Sequence, residues 1–314
     1  MILLVKGIII VGLVVLAGCS SLEQGLETSE PSSARAGTVA FPASNEATSI
    51  RWLLAKGQKS LESGDHRSAY EHFSQVLRSD RSNPEALRGL GESILIGGEP
   101  QKALSVFAKL EQLPDHRATA YQGQGLALLA MGQHAKAEGV LEKALREDTH
   151  LWRVWNALGT IKDRAGLWKE ARQDYDKALE INSNAIEVMN NRGTSFLWER
   201  KFPEAELAFK AVLGRSPELP QARTSLRLAL AWQGKYVEAL TGTRKDEMPV
   251  VLNNLGYIAT KRGDYEVAEA YLAQALQLSP SYYAKAAENL EYLRQLKNAA
   301  TAQNTDLSGK KKNR

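Results

Sequence analysis

The chain has 314 residues, 43% of them hydrophobic and 24% charged, with a formal net charge of +4 and a pI near 9.0. The basic excess is terminal: without Lys6, Lys310, Lys311, Lys312 and Arg314 the charge is −1, so the body offers no electrostatic case for gripping phosphate backbones and no nucleic-acid partner is expected. The single cysteine, Cys19, excludes an internal disulfide and any paired-cysteine metal or redox site.

Residues 1–18 carry one charge, Lys6, ahead of an apolar run from Gly7 to Leu16, and close on Ala17-Gly18. That is the layout of a secretory signal peptide, and the run falls short of the about 20 apolar residues that span a bilayer. The four residues Leu16-Ala17-Gly18-Cys19 resemble the bacterial lipobox. The resemblance implies cleavage before Cys19 and acylation of its thiol, with covalent lipid (palmitate) as the only non-protein group and no cofactor. Several acyl chains, at about 0.8 kcal/mol per buried methylene, would hold the chain on a membrane. Ser20 stands where inner-membrane retention signals usually place Asp, so the same resemblance implies the outer membrane, periplasmic face.

From Cys19 to residue 47 the composition shifts to Ser, Glu, Thr, Gly and Pro without apolar period, which reads as a disordered tether with a reach of roughly 30 Å. Residues 48–281 then repeat. Gly57, Gly91, Gly125, Gly159 and Gly193 recur at one constant interval, and Ala69, Ala103, Ala137, Ala171, Ala205 and Ala239 keep it too. Each unit has a small residue in a first amphipathic helix and Ala followed by an aromatic or leucine in a second. Small residues let two antiparallel helices cross closely, and larger ones such as Leu158 and Tyr175 fill the space beside the crossing. The interval, about 34 residues, and the Leu-Gly and Ala-x3-aromatic signatures are similar to those of the tetratricopeptide repeat (TPR). The expected fold is therefore all-α, a TPR α-solenoid of about seven helix-turn-helix repeats.

The units close where proline follows, at Asn83-Pro84, Leu113-Pro114 and Ser216-Pro217. The sixth departs from the pattern: Arg227 takes the glycine slot, the next glycine of the series, Gly256, comes ahead of the interval, and Gly242-Thr243 stand where an apolar helix face should run. Its second helix must be short or frayed, as a tolerated irregularity or as a functional bend. The seventh unit returns to form at Leu252-Asn-Asn-Leu-Gly256. A helix over 282–297 is expected to cap the last apolar face, followed by a disordered basic tail, 298–314.

The five histidines show no His-x3-His pair or carboxylate cluster, and neither a phosphate-binding glycine loop nor a nucleophile elbow occurs, so no metal, no catalytic residue and no small-molecule substrate is expected; the chain reads as a non-enzyme. Function then falls to a binding surface on the first helices. In TPR proteins these line the concave face, which implies Arg153, Asn156, Thr160, Asn190, Thr194, Leu197, Trp198, Thr224, Leu228, Trp232, Asn253 and Tyr257 as peptide-groove candidates. Asn156, Asn190 and Asn253 have the donor and acceptor for an extended backbone. Trp198 and Trp232 are apolar anchors or, alternatively, fill gaps between repeats.

Lipobox, tether, repeats and closing helix, with Ala-Leu-Ala-Trp-Gln-Gly-Lys-Tyr236 before the truncated helix and Asn-Leu-Gly-Tyr257 after it, together resemble the TadD-like TPR lipoproteins of tight-adherence (Flp) pilus assembly. That resemblance implies a protein-protein interaction scaffold in pilus or secretion machinery whose partner is a secretin or another pilus component. Alternative roles are a pilotin-like factor of type IV pili, or an envelope adaptor that recruits a peptidoglycan hydrolase or protease.

Overall fold

The computed structural model describes residues 46–279 and 283–312, and side chains of 47–279 and 283–299. The expected signal peptide 1–18, Cys19 and nearly all of the expected tether lie outside the described residues. Fifteen α-helices and no strand occur among the described residues: α1 Glu46–Glu62, α2 His66–Ser79, α3 Pro84–Ile96, α4 Pro100–Leu110, α5 Arg117–Ala130, α6 His134–Glu147, α7 Trp152–Arg164, α8 Trp168–Ile181, α9 Ile186–Trp198, α10 Phe202–Arg215, α11 Pro220–Trp232, α12 Tyr236–Leu240, α13 Met248–Arg262, α14 Tyr265–Leu278 and α15 Ala284–Lys312. The last helix continues past Lys297, through residues that composition alone marks as tail. A helix needs no apolar stripe where its backbone bonds are already propagating, and polar composition does not forbid it.

The chain forms two compact units, divided between Ile161 and Lys162 inside α7. In the first, successive helices pack together from α1 through to α6, while the first helix α3 also packs on both α1 and α5. In the second, the helices pair likewise, and α11 packs on both α9 and α13, with α13 on α15. Each unit is thus built of helical hairpins with first helices in one layer and second helices in the other.

The turns repeat with the helices. Gly64, Gly98, Gly132, Gly166 and Gly234 all take positive φ, between +73° and +82°, and the series is filled at Arg200, a non-glycine residue at φ +65°. A left-handed residue there lets the N–H groups just past the helix reach back, as in Gly98 N–H to Leu95 O at 3.1 Å and Glu99 N–H to Ile94 O at 3.1 Å. Helix starts use the expected chemistry where it is present: Asp65 accepts from the Ser68 N–H at 3.0 Å, and Asn83 accepts from the Ala86 N–H at 3.0 Å with Pro84 in the first turn.

Small residues sit where the helices cross. The second-helix alanines Ala69, Ala103, Ala137, Ala171, Ala205, Ala239 and Ala268 are fully buried. A methyl carbon added to Gly57 would lie 2.7 Å from the Phe73 ring, one at Gly91 2.6 Å from Phe107, one at Gly193 2.9 Å from Phe209, and one at Gly256 2.7 Å from Leu272. Gly125 meets Leu141 in the same way, so one contact recurs at a fixed spacing along the chain. Two of these rings are sandwiched: Phe73 also closes on Gly89, and Phe107 on Gly123, in the first helix of the following hairpin.

The sixth hairpin shows what happens without the pair. Arg227 and Thr243 stand at the glycine and ring positions, and the second helix, α12, stops after five residues. The Arg227 side chain is buried in the hairpin, with Nη1 donating to Glu247 Oε2 at 3.2 Å. No ring is left for a longer α12 to bury, so the chain turns at Gly242 (φ +70°) and α13 starts early.

Gly91→Ala is expected to destabilise the chain by about 1–3 kcal/mol through overpacking against Phe107. Gly139→Ala, on an exposed face of α6 with open space around it, should instead stabilise by up to about 1 kcal/mol through helix propensity. Chemical denaturation of both variants checks the pair.

Candidate binding face

Residues four apart on a helix share a face, so the first helices present their candidates in columns. In the first unit, α7 carries Arg153, Asn156 and Thr160. Arg153 is exposed, its guanidinium 5.2 Å from the Trp152 ring centroid and 3.9 Å from Glu92 Oε1 on α3. Asn156 and Thr160 are half-buried, and the Thr160 hydroxyl donates to the Asn156 carbonyl at 3.0 Å.

In the second unit, α9 carries Asn190, Thr194 and Trp198, α11 carries Thr224, Leu228 and Trp232, and α13 carries Asn253 and Tyr257. These three helices are neighbours, so the columns lie side by side. Within them the side chains differ in availability. Thr224 is exposed, and Trp198 and Tyr257 are half-buried. Asn190 is buried with its carboxamide oxygen lacking a hydrogen-bond partner, and the Thr194 hydroxyl donates back to the Asn190 carbonyl at 3.0 Å.

Other candidates are engaged inside the protein. Leu197 is buried in the cluster around Phe209, and Leu228 packs against the same cluster. Trp232 lies flat on Phe202, ring centroids 5.4 Å apart and planes within 5°, with the Arg200 guanidinium 5.6 Å from its ring. Asn253 is buried, its oxygen accepting from Asn289 Nδ2 on α15 at 2.8 Å. Next along the α13 column comes Lys261, absent from the sequence-based set. Its ammonium donates to the Tyr292 hydroxyl at 2.9 Å and sits 5.4 Å from the Tyr257 ring. The Tyr292 hydrogen bond raises the Lys261 pKa, which keeps a cation on this column.

Sequence reasoning also missed the polar group that ties α7, α8 and α9 together. Asp163 is buried, and its carboxylate accepts from the Tyr175 hydroxyl at 2.9 Å and from the Ser195 hydroxyl at 2.7 Å. Arg172 donates to Ser195 Oγ at 3.5 Å and pairs with Glu199 at 2.6 Å. Burial pushes the Asp163 carboxyl up to about 6, against the pull of both hydroxyls and Arg172. Next to it, Lys162 pairs with the buried Asp174 at 2.5 Å. The available signal was Tyr175 itself, the one hydroxylated ring in a series filled, apart from Thr243, by Phe and Leu.

The opposite electrostatic case is Glu206. It accepts from Lys210 at 2.6 Å, Lys235 at 2.8 Å and Gln233 at 2.8 Å, and the Lys210 hydrogen bond leads in pulling its carboxyl down to about 2. These contacts pin α10 to the start of α12.

Among the described residues, no three His, Cys, Asp or Glu side chains come together as a metal site, and no helix is long and apolar enough to cross a membrane. Two sequence profiles, both described as tetratricopeptide repeat, match the chain, one over residues 54–117 and 123–186 and the other over 249–282. No curated protein matches it.

Among solved structures, the Cut9–Hcn1 hetero-tetramer of the APC/C is similar over 79% of this chain and 43% of its own, at 17% identity and a TM-score of 0.58. A thermophilic TPR protein of Thermus thermophilus is similar over 58% of this chain and 98% of its own, at 21% identity and a TM-score of 0.53. A tetratricopeptide repeat protein from Parabacteroides merdae covers 79% of this chain and 99% of its own, at 18% identity and a TM-score of 0.48. The first two carry the fold likeness.

Because the folded-state value of Asp163 lies above its unfolded one, the cost of burying its ionised form is present above about pH 6 and disappears as pH falls through that value. Relative to Asp163→Asn, the natural chain is therefore expected to gain on the order of 2 kcal/mol between pH 7.5 and pH 4.5. Urea unfolding at the two pH values measures the difference.

Proposed function

The chain belongs to the tetratricopeptide repeat family, and from that premise we propose that it is a non-enzymatic scaffold holding a protein partner along its first helices. The observation that carries this reading is the layer of first helices. Successive hairpins bring Trp198 and Asn190 on α9, Thr224 on α11 and, past the shortened sixth hairpin, Tyr257 with Lys261 on α13 to one layer of neighbouring helices. Aromatic rings beside an amide, a hydroxyl and a cation suit an extended peptide, whose backbone needs both donors and acceptors and whose apolar side chains need anchors.

The finer reading concerns place and machine. The apolar run before Leu16-Ala17-Gly18-Cys19 supports a lipoprotein anchored through Cys19, and Ser20 supports the outer membrane, periplasmic face. The tether would let the repeats work clear of the lipid. The resemblance to TadD-like lipoproteins supports a task in tight-adherence (Flp) pilus assembly, with a secretin or another pilus component as partner. A scaffold fixed to a membrane needs no catalytic group, only an oriented surface and an anchor.

Cys19→Ser is expected to move the protein from the outer-membrane fraction to the soluble fraction or to leave an uncleaved precursor. Unchanged fractionation of that variant would remove the anchor. In a crosslinking pull-down from envelope extracts, the natural chain should capture pilus-machine components and Trp198→Ala should capture about fivefold less or worse, at an unchanged melting temperature. Capture that Trp198→Ala does not weaken would remove the groove, and recovery of a peptidoglycan hydrolase or protease in place of pilus proteins would favour the adaptor role.

A further inference from the structure

The sixth hairpin leaves one buried cation half satisfied. The Arg227 side chain is 10% exposed, and Nη1 is taken by Glu247, while Nε and Nη2 are buried without a hydrogen-bond partner. Those two nitrogens form one edge of the guanidinium, the edge that meets both oxygens of a carboxylate side by side. A buried donor pair left unmet is costly, and few are retained in folded proteins. As far along the chain from Arg227 as Phe107 is from Gly91, Thr243 Oγ1 is a second buried polar atom without a partner. They stand at the two positions that a glycine and a ring or leucine fill in other hairpins, and α12 ends at Leu240, ahead of Thr243.

We propose that the buried Nε–Nη2 edge of Arg227, at the glycine position of the hairpin whose second helix is short, is a binding site for a carboxylate. The charges around it select a monoanion. Glu247 already shares the guanidinium, and nearby Arg244 is paired with Asp246 at 2.6 Å, so a doubly charged phosphate would meet uncompensated repulsion. This site lies at the glycine position that faces the second helix, apart from the column of Thr224, Leu228 and Trp232. A partner lying along the first helices could place an acidic side chain or its terminal carboxylate here. The proposal deepens the scaffold reading and rests on it only for a protein being the carboxylate's source.

The test is the Nε–H resonance of Arg227 in the full chain, identified by its absence in Arg227→Lys, during titration with sodium acetate at an ionic strength held constant with sodium chloride. The expected result is a saturable shift with acetate that chloride does not produce. Arg227→Lys keeps the charge but loses the two-nitrogen edge, and its acetate-dependent gain in melting temperature should need about tenfold more acetate. A capped Gly-Glu-Gly amide and a Gly-Gly-Gly peptide with a free C-terminus then separate side-chain from terminal carboxylate, and a response to either supports the site. A resonance that does not move with acetate, or that moves equally with chloride as for an adventitious ion only, overturns the proposal. An acetate response alongside an empty pull-down would keep this site and sink the scaffold reading instead.

Discussion

The fold depends on one recurring contact: a large side chain of the second helix pressed onto a glycine of the first, at the same spacing along the chain in every hairpin that has it. With Phe107 against Gly91 or Leu272 against Gly256 there is no room for even one methyl group between them. The close approach does two things at once. It sets how near the helices of a hairpin lie, and it buries the ring completely, which removes its apolar surface from water at about 25 cal/mol per Å². Where Gly89 and Gly123 admit the same rings from the other side, the contact also couples one hairpin to the next.

The contact also shows why the sixth hairpin is different. Replacing glycine by Arg227 and the ring by Thr243 roughly exchanges which helix supplies the bulk, but a guanidinium cannot do what a phenyl ring does. It demands hydrogen bonds, takes one from Glu247, and leaves α12 with no apolar residue to bury beyond Leu240. The seam is held by polar ties instead: Lys235 to Glu206, and the Tyr236 hydroxyl to Asp264 at 2.6 Å, which raises the Tyr236 pKa after the larger effect of burial. Burial and hydrogen bonding therefore trade places along one repeated architecture, and the polar stretches are where its specificity resides.

The same alternation shapes the binding face. Side chains held by packing or by internal hydrogen bonds, such as Leu197, Trp232 and Asn253, cannot also be free for a partner. What remains presented is a smaller set, with Trp198, Thr224 and Tyr257 accessible and Lys261 held charged between two tyrosines. A near-neutral body with a few aromatic anchors suits recognition by shape and backbone hydrogen bonding more than by bulk charge.

How much of this was legible in the chain follows from the range of each interaction. The constant repeat interval, the alanines and glycines of the crossings, the turns and the shortened sixth second helix are local or strictly periodic, so the sequence alone determined the all-α repeat fold and located its one break. Tertiary structure decided the rest: that Asp163 collects hydroxyls from Tyr175 and Ser195, that Arg200 takes a left-handed turn, that Trp232 stacks on Phe202, and that the Asn253 oxygen is taken by Asn289. Each of these depends on which residues a neighbouring hairpin brings within about 3 to 6 Å. Periodicity says which face a side chain occupies, but only the packed neighbours decide whether it is still free there.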